Sequence, residues 1–384
     1  MKLTHITHTK TNYMKSQNKT VCIYISNWHS IGGVEKFVQN FCKRMSKHYD
    51  ITLLYENVAS EHLVSEMNKY CKVVKLTIYK KYICDIFVSA TAWGRGAFDV
   101  VDAKCYIQIC HADFRVLING WAFNYKKHEK TNFHICVGET VKIGFEHVTK
   151  LKCDAIIHNL LDNTIQHDEK PVNDVLILIT CSRLSGEKGF KRMKQLARQL
   201  DAKGVQYVWN VWGDTSSQYA KNLIKEFANC PNVFFKGITT EPHKEINKAD
   251  YLVQLSDTEG FAYSVYEAMQ VKTPCIITPF ASGREQITHG VNGWIVPFEM
   301  DGIDFDAILR KDLVVPEFEE LGKEEHWISF FDSCLEWYAE NVVTVRIIDV
   351  VQKYSIGDVI DLPKERAQSA IERGLAVLIE KPID

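Results

Sequence analysis

Short apolar runs recur along the chain, each followed by a stretch in which apolar and polar positions mix at helical spacing. "VCIYIS" (21–26), "ITLLY" (51–55), "CKVVKL" (71–76), "CDIFVSA" (84–90), "CYIQIC" (105–110), "FHICVG" (133–138) and "DAIIHN" (154–159) predict strands. Between them, "GGVEKFVQNFCKRMSKH" (32–48), "SEHLVSEMNKY" (60–70) and "TVKIGFEHV" (140–148) predict amphipathic helices, the first entered through Gly32-Gly33. Strands alternating with helices indicate parallel βαβ units.

A polar stretch, "LLDNTIQHDEKPVND" (160–174), interrupts the alternation and reads as a linker. The pattern then restarts with "VLILITC" (175–181), "GFKRMKQLARQLDAKG", "YVWNVWG", "SSQYAKNLIKEFAN", "VFFKG", "PHKEINKA", "YLVQL", "YSVYEAMQ", "PCIITP", a helix around "GREQITHG", and "GWIVP". The expected organisation is a leader over 1–18, an α/β domain over 19–165 and a second over 172–323. The aromatic-rich helix over 324–340, with Trp327, Phe330, Phe331, Leu335 and Trp337 on a broad apolar face, is expected to be structural. After it the composition changes, and 342–384 reads as a small α+β module with two or three short strands and one helix from about Pro363 to Arg373. Two successive α/β domains place a cleft between the carboxyl ends of their sheets.

The bulk composition is that of an ordinary globular protein of 384 residues, 46% hydrophobic and 24% charged. A net charge of −2 gives no global attraction to nucleic acid or anionic lipid. The twelve cysteines form no CxxC pair, and several lie inside strand-like runs, where a thiol behaves as a small hydrophobe. The opening residues contain no apolar signal core and no run reaches transmembrane length, so a reduced, cytoplasmic setting is expected. No HExxH and no Cys/His finger occurs, so no dedicated metal site is expected.

Candidate chemistry concentrates in the second domain. "CSRLSGEKGF" sets Arg183 and Lys188 on a strand-to-helix loop whose glycines, Gly186 and Gly189, permit close backbone approach. Two cations at such a position suit a pyrophosphate, although two ordinary surface cations fit the same residues. "SDTEGFAYSVYEAM" (256–269) carries Glu259 in a turn and Glu267 eight positions on, a little over two helical turns away, so both could face one pocket. Taken alone, the pair reads equally as an acid at a helix N-terminus and a solvated surface Glu.

The ordered set Arg183, Leu184, Lys188, Gly189, Gly213, Asp214, Glu259, Gly260, Phe261, Glu267, Ala268, Gly283, Glu285, Asn292 and Gly293 spans about 115 residues. In that order it resembles the retaining, nucleotide-sugar-dependent glycosyltransferases of the GT-B fold, in the large family of bacterial mannosyl- and glucosyltransferases (family four of the sequence classification). The likeness covers roughly residues 20–340. It implies two Rossmann-like domains facing a central cleft. Gly32-Gly33 match the family's glycine loop beside the donor phosphate, and His111 its histidine near the donor sugar. Asn159 resembles the family's Asn before the linker. Gly138-Glu139 stand where relatives usually carry a Ser. The tail after Val342 resembles, loosely, small modules of phage proteins, and is read as a docking or self-assembly module or as a stabilising flap.

The resemblance assigns roles. Transfer from a nucleoside diphosphate sugar builds charge on the leaving diphosphate, which Arg183, Lys188 and backbone N–H groups near Gly32-Gly33 would stabilise without metal or cofactor. Glu259 would accept from donor-sugar hydroxyls and Glu267 from the ribose diol, a task suited to an acceptor-only group with two oxygens. Gly213, Phe261 and Ala262 complete the expected donor-binding set. The donor would be UDP- or GDP-linked, the configuration retained by front-face transfer, and the acceptor a hydroxyl of a glycan, a protein or a modified DNA base. Three other readings share the cleft: transfer to a DNA base in particular, a nucleotide-sugar 2-epimerase, and a non-catalytic sugar-nucleotide binder.

Overall fold

The computed structural model describes residues 19–28, 32–91, 95–116, 127–166, 168–317, 319–349, 351 and 354–379. The expected leader, 1–18, lies outside them. Seven strands, β1 (Thr20–Ile25), β2 (Asp50–Tyr55), β3 (Lys72–Lys75), β4 (Tyr82–Ser89), β5 (Val101–Cys110), β6 (Phe133–Cys136) and β7 (Ala155–Ile156), form one sheet. Its order is β3-β2-β1-β4-β5-β6-β7 and every pairing is parallel. Strand β1 sits between β2 and β4, with Val21 opposite both Ile51 and Ile86. Its five buried positions after Thr20 explain why it reads as an unbroken apolar run. The run 154–159 yields only the two-residue β7; the chain leaves the sheet after Ile156, and the carbonyl of Asn159 packs against Gly322. A short helix, Arg95–Val100, lies between β4 and β5 where the glycines of "WGRGAF" disguise the helical pattern.

The second sheet holds β8 (Leu176–Cys181), β9 (Tyr207–Trp212), β10 (Val233–Gly237), β11 (Tyr251–Gln254), β12 (Cys275–Ile277) and β13 (Gly293–Ile295). Its order is β10-β9-β8-β11-β12-β13, again parallel. In both sheets the strand order reverses beside the first strand, at β1/β4 and at β8/β11. Those are the switch points outside which parallel sheets bind ligands.

The Glu324–Asn341 helix returns to the first domain. Trp327, Phe331, Cys334 and Tyr338, three and four residues apart, are its buried stripe. Trp327 meets Phe41 at 5.0 Å and Phe331 meets Tyr49 at 5.4 Å, both edge-on. Arg44, on the Gly33–Met45 helix, pins the start of this return helix through Glu324 at 2.8 Å and also pairs with Glu320. One apolar core therefore runs from the first sheet through the Gly33–Met45 helix to Phe261, Tyr263 and Tyr266 of the second domain.

The return helix runs directly into β14 (Val342–Ile347), the centre of a third, antiparallel sheet with β15 (Val359–Pro363) and β16 (Ala376–Leu378). The Lys364–Glu372 helix covers it, and Val345, Ile347, Ala367 and Ala376 form its own small core. No described helix is long and apolar enough to cross a membrane.

Candidate functional site between the two sheets

The loop after β8 places Lys188. Gly186–Lys188 make one 3₁₀ turn, and Gly189 then adopts a left-handed φ of 73° before the Phe190–Ala202 helix begins. A β-carbon at Gly189 would lie 1.7 Å from the carbonyl oxygen of Leu255, so only glycine serves here. This close approach brings Lys188 to the turn after β11, where its Nζ donates to Glu259 Oε1 at 2.7 Å. The same oxygen accepts from Ser256 Oγ at 2.7 Å and from Gln254 Nε2 at 3.0 Å. All three bonds end on Oε1, and none of them uses Oε2. Arg183 behaves differently: its side chain is 61% exposed and its nearest carboxylate, Glu187, is 3.7 Å away. It is an exposed surface cation at the mouth of the loop. Gly213 is required by packing, since a β-carbon there would lie 2.3 Å from the carbonyl of Ser182.

Gly260, next to Glu259, touches the other domain. A β-carbon on it would fall 1.7 Å from the carbonyl oxygen of His111, at the end of β5. The His111 ring lies edge-on to Phe37 at 4.8 Å. Its Nε2 is buried with no hydrogen-bond partner among the described residues. Burial lowers its pKa to about 3, so the imidazole is neutral.

Glu267 is buried in the Tyr263–Gln270 helix and carries the ammonium of Lys36 from the first domain. Burial pushes Lys36 down, to about 8, while the neighbouring Cys181 and Asp162 pull the other way. Lys36 lies one turn into the Gly33–Met45 helix, whose N-cap Gly32 is extended and offers no capping side chain. The space over Gly33 is open. The first N–H groups of that helix and Lys36 thus lie on the side of the cleft that holds Glu267. Phe261 stacks on Tyr266 at 4.3 Å and faces the core, and Ala262 is buried beneath it, its carbonyl accepting from Gln286 Nε2 at 3.0 Å.

The structure thus assembles Lys188, Glu259, Gly260 and His111 at one contact and Glu267 with the Gly32-Gly33 helix at another. Arg183 stands in solvent and the Phe261 ring is directed away. Sequence reasoning overlooked Lys36, Gln254 and Ser256. Lys36 left a trace, because a lysine one turn into a helix opposes the helix dipole. Among the described residues no group of three or more His, Cys, Asp or Glu side chains could hold a metal ion. A cavity of about 390 Å³ opens at the amino edge of the first sheet, between Thr20, Asp50, Lys72 and Cys84. Parallel sheets bind ligands at the opposite edge. Another, of about 140 Å³ beside Tyr266 and Glu285, is below the size of ordinary ligand pockets.

Comparison with solved structures settles the architecture. A structure of HepE from Anabaena in complex with UDP-glucose superposes with a TM-score of 0.60 at 15% identity, covering 84% of this chain and 98% of that one. The fold is GT-B. Within it, residues 162–311 match the family described as glycosyl transferases group 1. The poly(glycerol-phosphate) alpha-glucosyltransferase of Bacillus subtilis is 36% identical over 66 residues, 17% of this chain and 10% of that protein. A putative glycosyltransferase of the same organism, EpsD, is 29% identical over 125 residues, 32% of this chain and 32% of EpsD. These alignments span a third or less of either curated relative.

Proposed function

We propose that the protein transfers a sugar from a UDP- or GDP-linked donor to an acceptor hydroxyl, with retention of configuration and without a metal ion. The observation that carries this reading is the Lys188–Glu259 pair, placed by Gly189 at the switch point of the second sheet and met there by Gly260 and His111. The matching family and the sugar nucleotide bound by a protein of the same fold support it.

In this reading the diphosphate lies along the Gly32-Gly33 helix start and the β8 loop, within reach of Lys188 and of Arg183. Developing negative charge on the leaving group meets fixed donors that need little reorganisation. Glu259 Oε2 and the unpartnered Nε2 of the neutral His111 take sugar hydroxyls. Glu259 is a poor nucleophile, because Lys188 neutralises it while Ser256 and Gln254 occupy the same oxygen. That favours front-face transfer, in which the acceptor hydroxyl loses its proton to the departing phosphate as the new glycosidic bond forms.

A panel of UDP- and GDP-sugars, screened in excess EDTA, tests the proposal. One donor should raise the melting temperature, with about 2.7 kcal/mol of stabilisation at 100 times its dissociation constant, and be slowly hydrolysed without acceptor. Free epimerised sugar nucleotide, or binding of a donor with no turnover under any condition, would overturn the transferase reading. Activity lost in EDTA and restored by manganese would overturn only its metal-free form.

A further inference from the structure

The Glu139–Thr149 helix of the first domain begins at Gly138, an N-cap with no side chain to satisfy the first amides. Those amides are satisfied from the other domain. Glu139 N–H donates to Glu285 Oε2 at 2.9 Å, and Thr140 N–H donates to Glu285 Oε1 at 2.9 Å. The Thr140 hydroxyl donates to the same Oε1 at 2.8 Å. His158 Nε2, just before the linker, stands 3.8 Å from Oε2. Burial raises the Glu285 pKa, but His158, Thr140 and Glu139 more than offset it and hold the carboxyl at about 2. A β-carbon on Gly138 would lie 2.9 Å from Glu285 Oε2, closer than such contacts occur, so a residue with a side chain would displace the carboxylate.

We propose that Glu285 is an interdomain latch: it caps the first-domain helix that lacks a cap of its own and so holds the arrangement in which Gly260 abuts His111. Separation of the domains would leave two helix amides and a carboxylate to water, and closure rejoins them in one geometry. Among the described residues the Glu285 carboxylate makes no direct bond to Lys188 or Glu259, so it is a positioning residue and not a catalytic one. Its neighbours explain the missing side chain at 138: the glycine is what admits a carboxylate from across the cleft.

The test is amide hydrogen exchange on the full chain, read in two places and without any sugar nucleotide, so that it stands apart from the reaction proposed above. One place is local, residues 139–142; the other is remote, residues 258–262 around Gly260. Glu285→Ala should speed exchange at both by tenfold or more. Gly138→Ser should separate them: the serine caps its own helix and keeps the local amides slow, while its β-carbon pushes Glu285 away and speeds the remote segment. Glu285→Gln, which keeps one acceptor and the side-chain size, should fall between wild type and alanine at both. Fast local exchange with an unchanged remote segment in Glu285→Ala, or an unchanged remote segment in Gly138→Ser, would reduce Glu285 to a helix cap and overturn the latch.

Discussion

The carbonyl oxygen of His111 occupies the place where a β-carbon on Gly260 would fall, 1.7 Å away. The contact is backbone against backbone, so neither side can yield by turning a side chain. Gly260→Ala is therefore expected to part the two domains at the end of β5, and overpacking of this kind typically costs about 1–3 kcal/mol. Donor turnover should fall at least tenfold while the return helix stays in place. Small-angle scattering and turnover on the same sample check this; wild-type turnover in Gly260→Ala would show that the contact is not part of the productive state.

Lys188 and Glu259 are 11% and 14% exposed at their side chains, which makes them a nearly buried pair. From sequence alone, Lys188→Ala should stay folded and lose transfer. The structure adds a cost, because a buried carboxylate stripped of its cation destabilises by roughly 3–5 kcal/mol. Lys188→Ala should lower the melting temperature, and Lys188→Ala/Glu259→Gln should recover most of it without recovering turnover. Arg183→Ala should leave the melting temperature unchanged and still cost about 2.7–4 kcal/mol of transition-state stabilisation. Near-normal turnover in both single variants would remove these cations from the diphosphate site.

What could be read in advance was what repeats with a short period. The alternation of apolar strands and amphipathic helices gave both α/β domains, since each buried strand such as β1 is an unbroken apolar run in sequence. The glycine positions were legible as chemistry but not as geometry. Gly189 and Gly260 stood in the ordered motif, yet their reasons, the carbonyls of Leu255 and His111, lie far along the chain. Lys36 and the Glu285–Thr140 contact were hidden for the same cause: each joins residues from different domains, and no local spacing records such a pairing. Short elements also escaped, as Arg95–Val100 shows, because six residues, one of them Gly96, are too few to show a visible period.

Lys36 and Glu267 are joined across the domains, and a ribose diol on Glu267 would compete with the ammonium. Glu267→Ala is expected to weaken binding of the bare nucleoside diphosphate, whereas Glu259→Ala should chiefly harm the complete sugar nucleotide. A double-mutant cycle of Lys36→Met and Glu267→Gln should give a coupling of about 0.5–3 kcal/mol in the free protein, and a smaller one with diphosphate bound. Titration calorimetry on the variants decides the first point. Equal losses for both ligands in both glutamate variants would refute the division of labour.

His111 makes folding sensitive to acid in a predictable direction. Burial lowers its pKa to about 3, against 6.5 for a free histidine. Between those values the unfolded chain binds a proton that the folded one refuses. Its contribution to stability is thus complete above pH 6.5 and is lost as the pH falls towards 3. At pH 5 the loss from this group is about 2 kcal/mol. Urea unfolding at neutral pH and at pH 5 should show a smaller acid loss in His111→Gln than in wild type. The same loss in both proteins would assign the acid sensitivity elsewhere.

The tail after Asn341 and the helix before it should separate cleanly on truncation. Strands β14 and β16 and the Lys364–Glu372 helix bury Val345, Ile347, Ala367 and Ala376 among themselves. The module meets the return helix where the Tyr338 hydroxyl donates to Asp361. Removing residues 342–384 therefore uncovers one edge of a helix and takes away no residue of the Lys188, Glu259 or His111 contacts. A chain ending at Asn341 should retain donor turnover within a few-fold of the full protein. Removing Glu324–Asn341 as well strips Trp327 and Phe331 from Phe37, Phe41 and Tyr49 and leaves Arg44 without Glu324. Each large apolar side chain so lost is worth about 1.5–3 kcal/mol, and a domain has only about 5–15 kcal/mol to lose. The shorter truncation product should unfold or aggregate. Circular dichroism melts and turnover on both chains make the comparison; a chain ending at Asn341 that is well folded but inactive would place the tail in the active site and end its reading as a separate module.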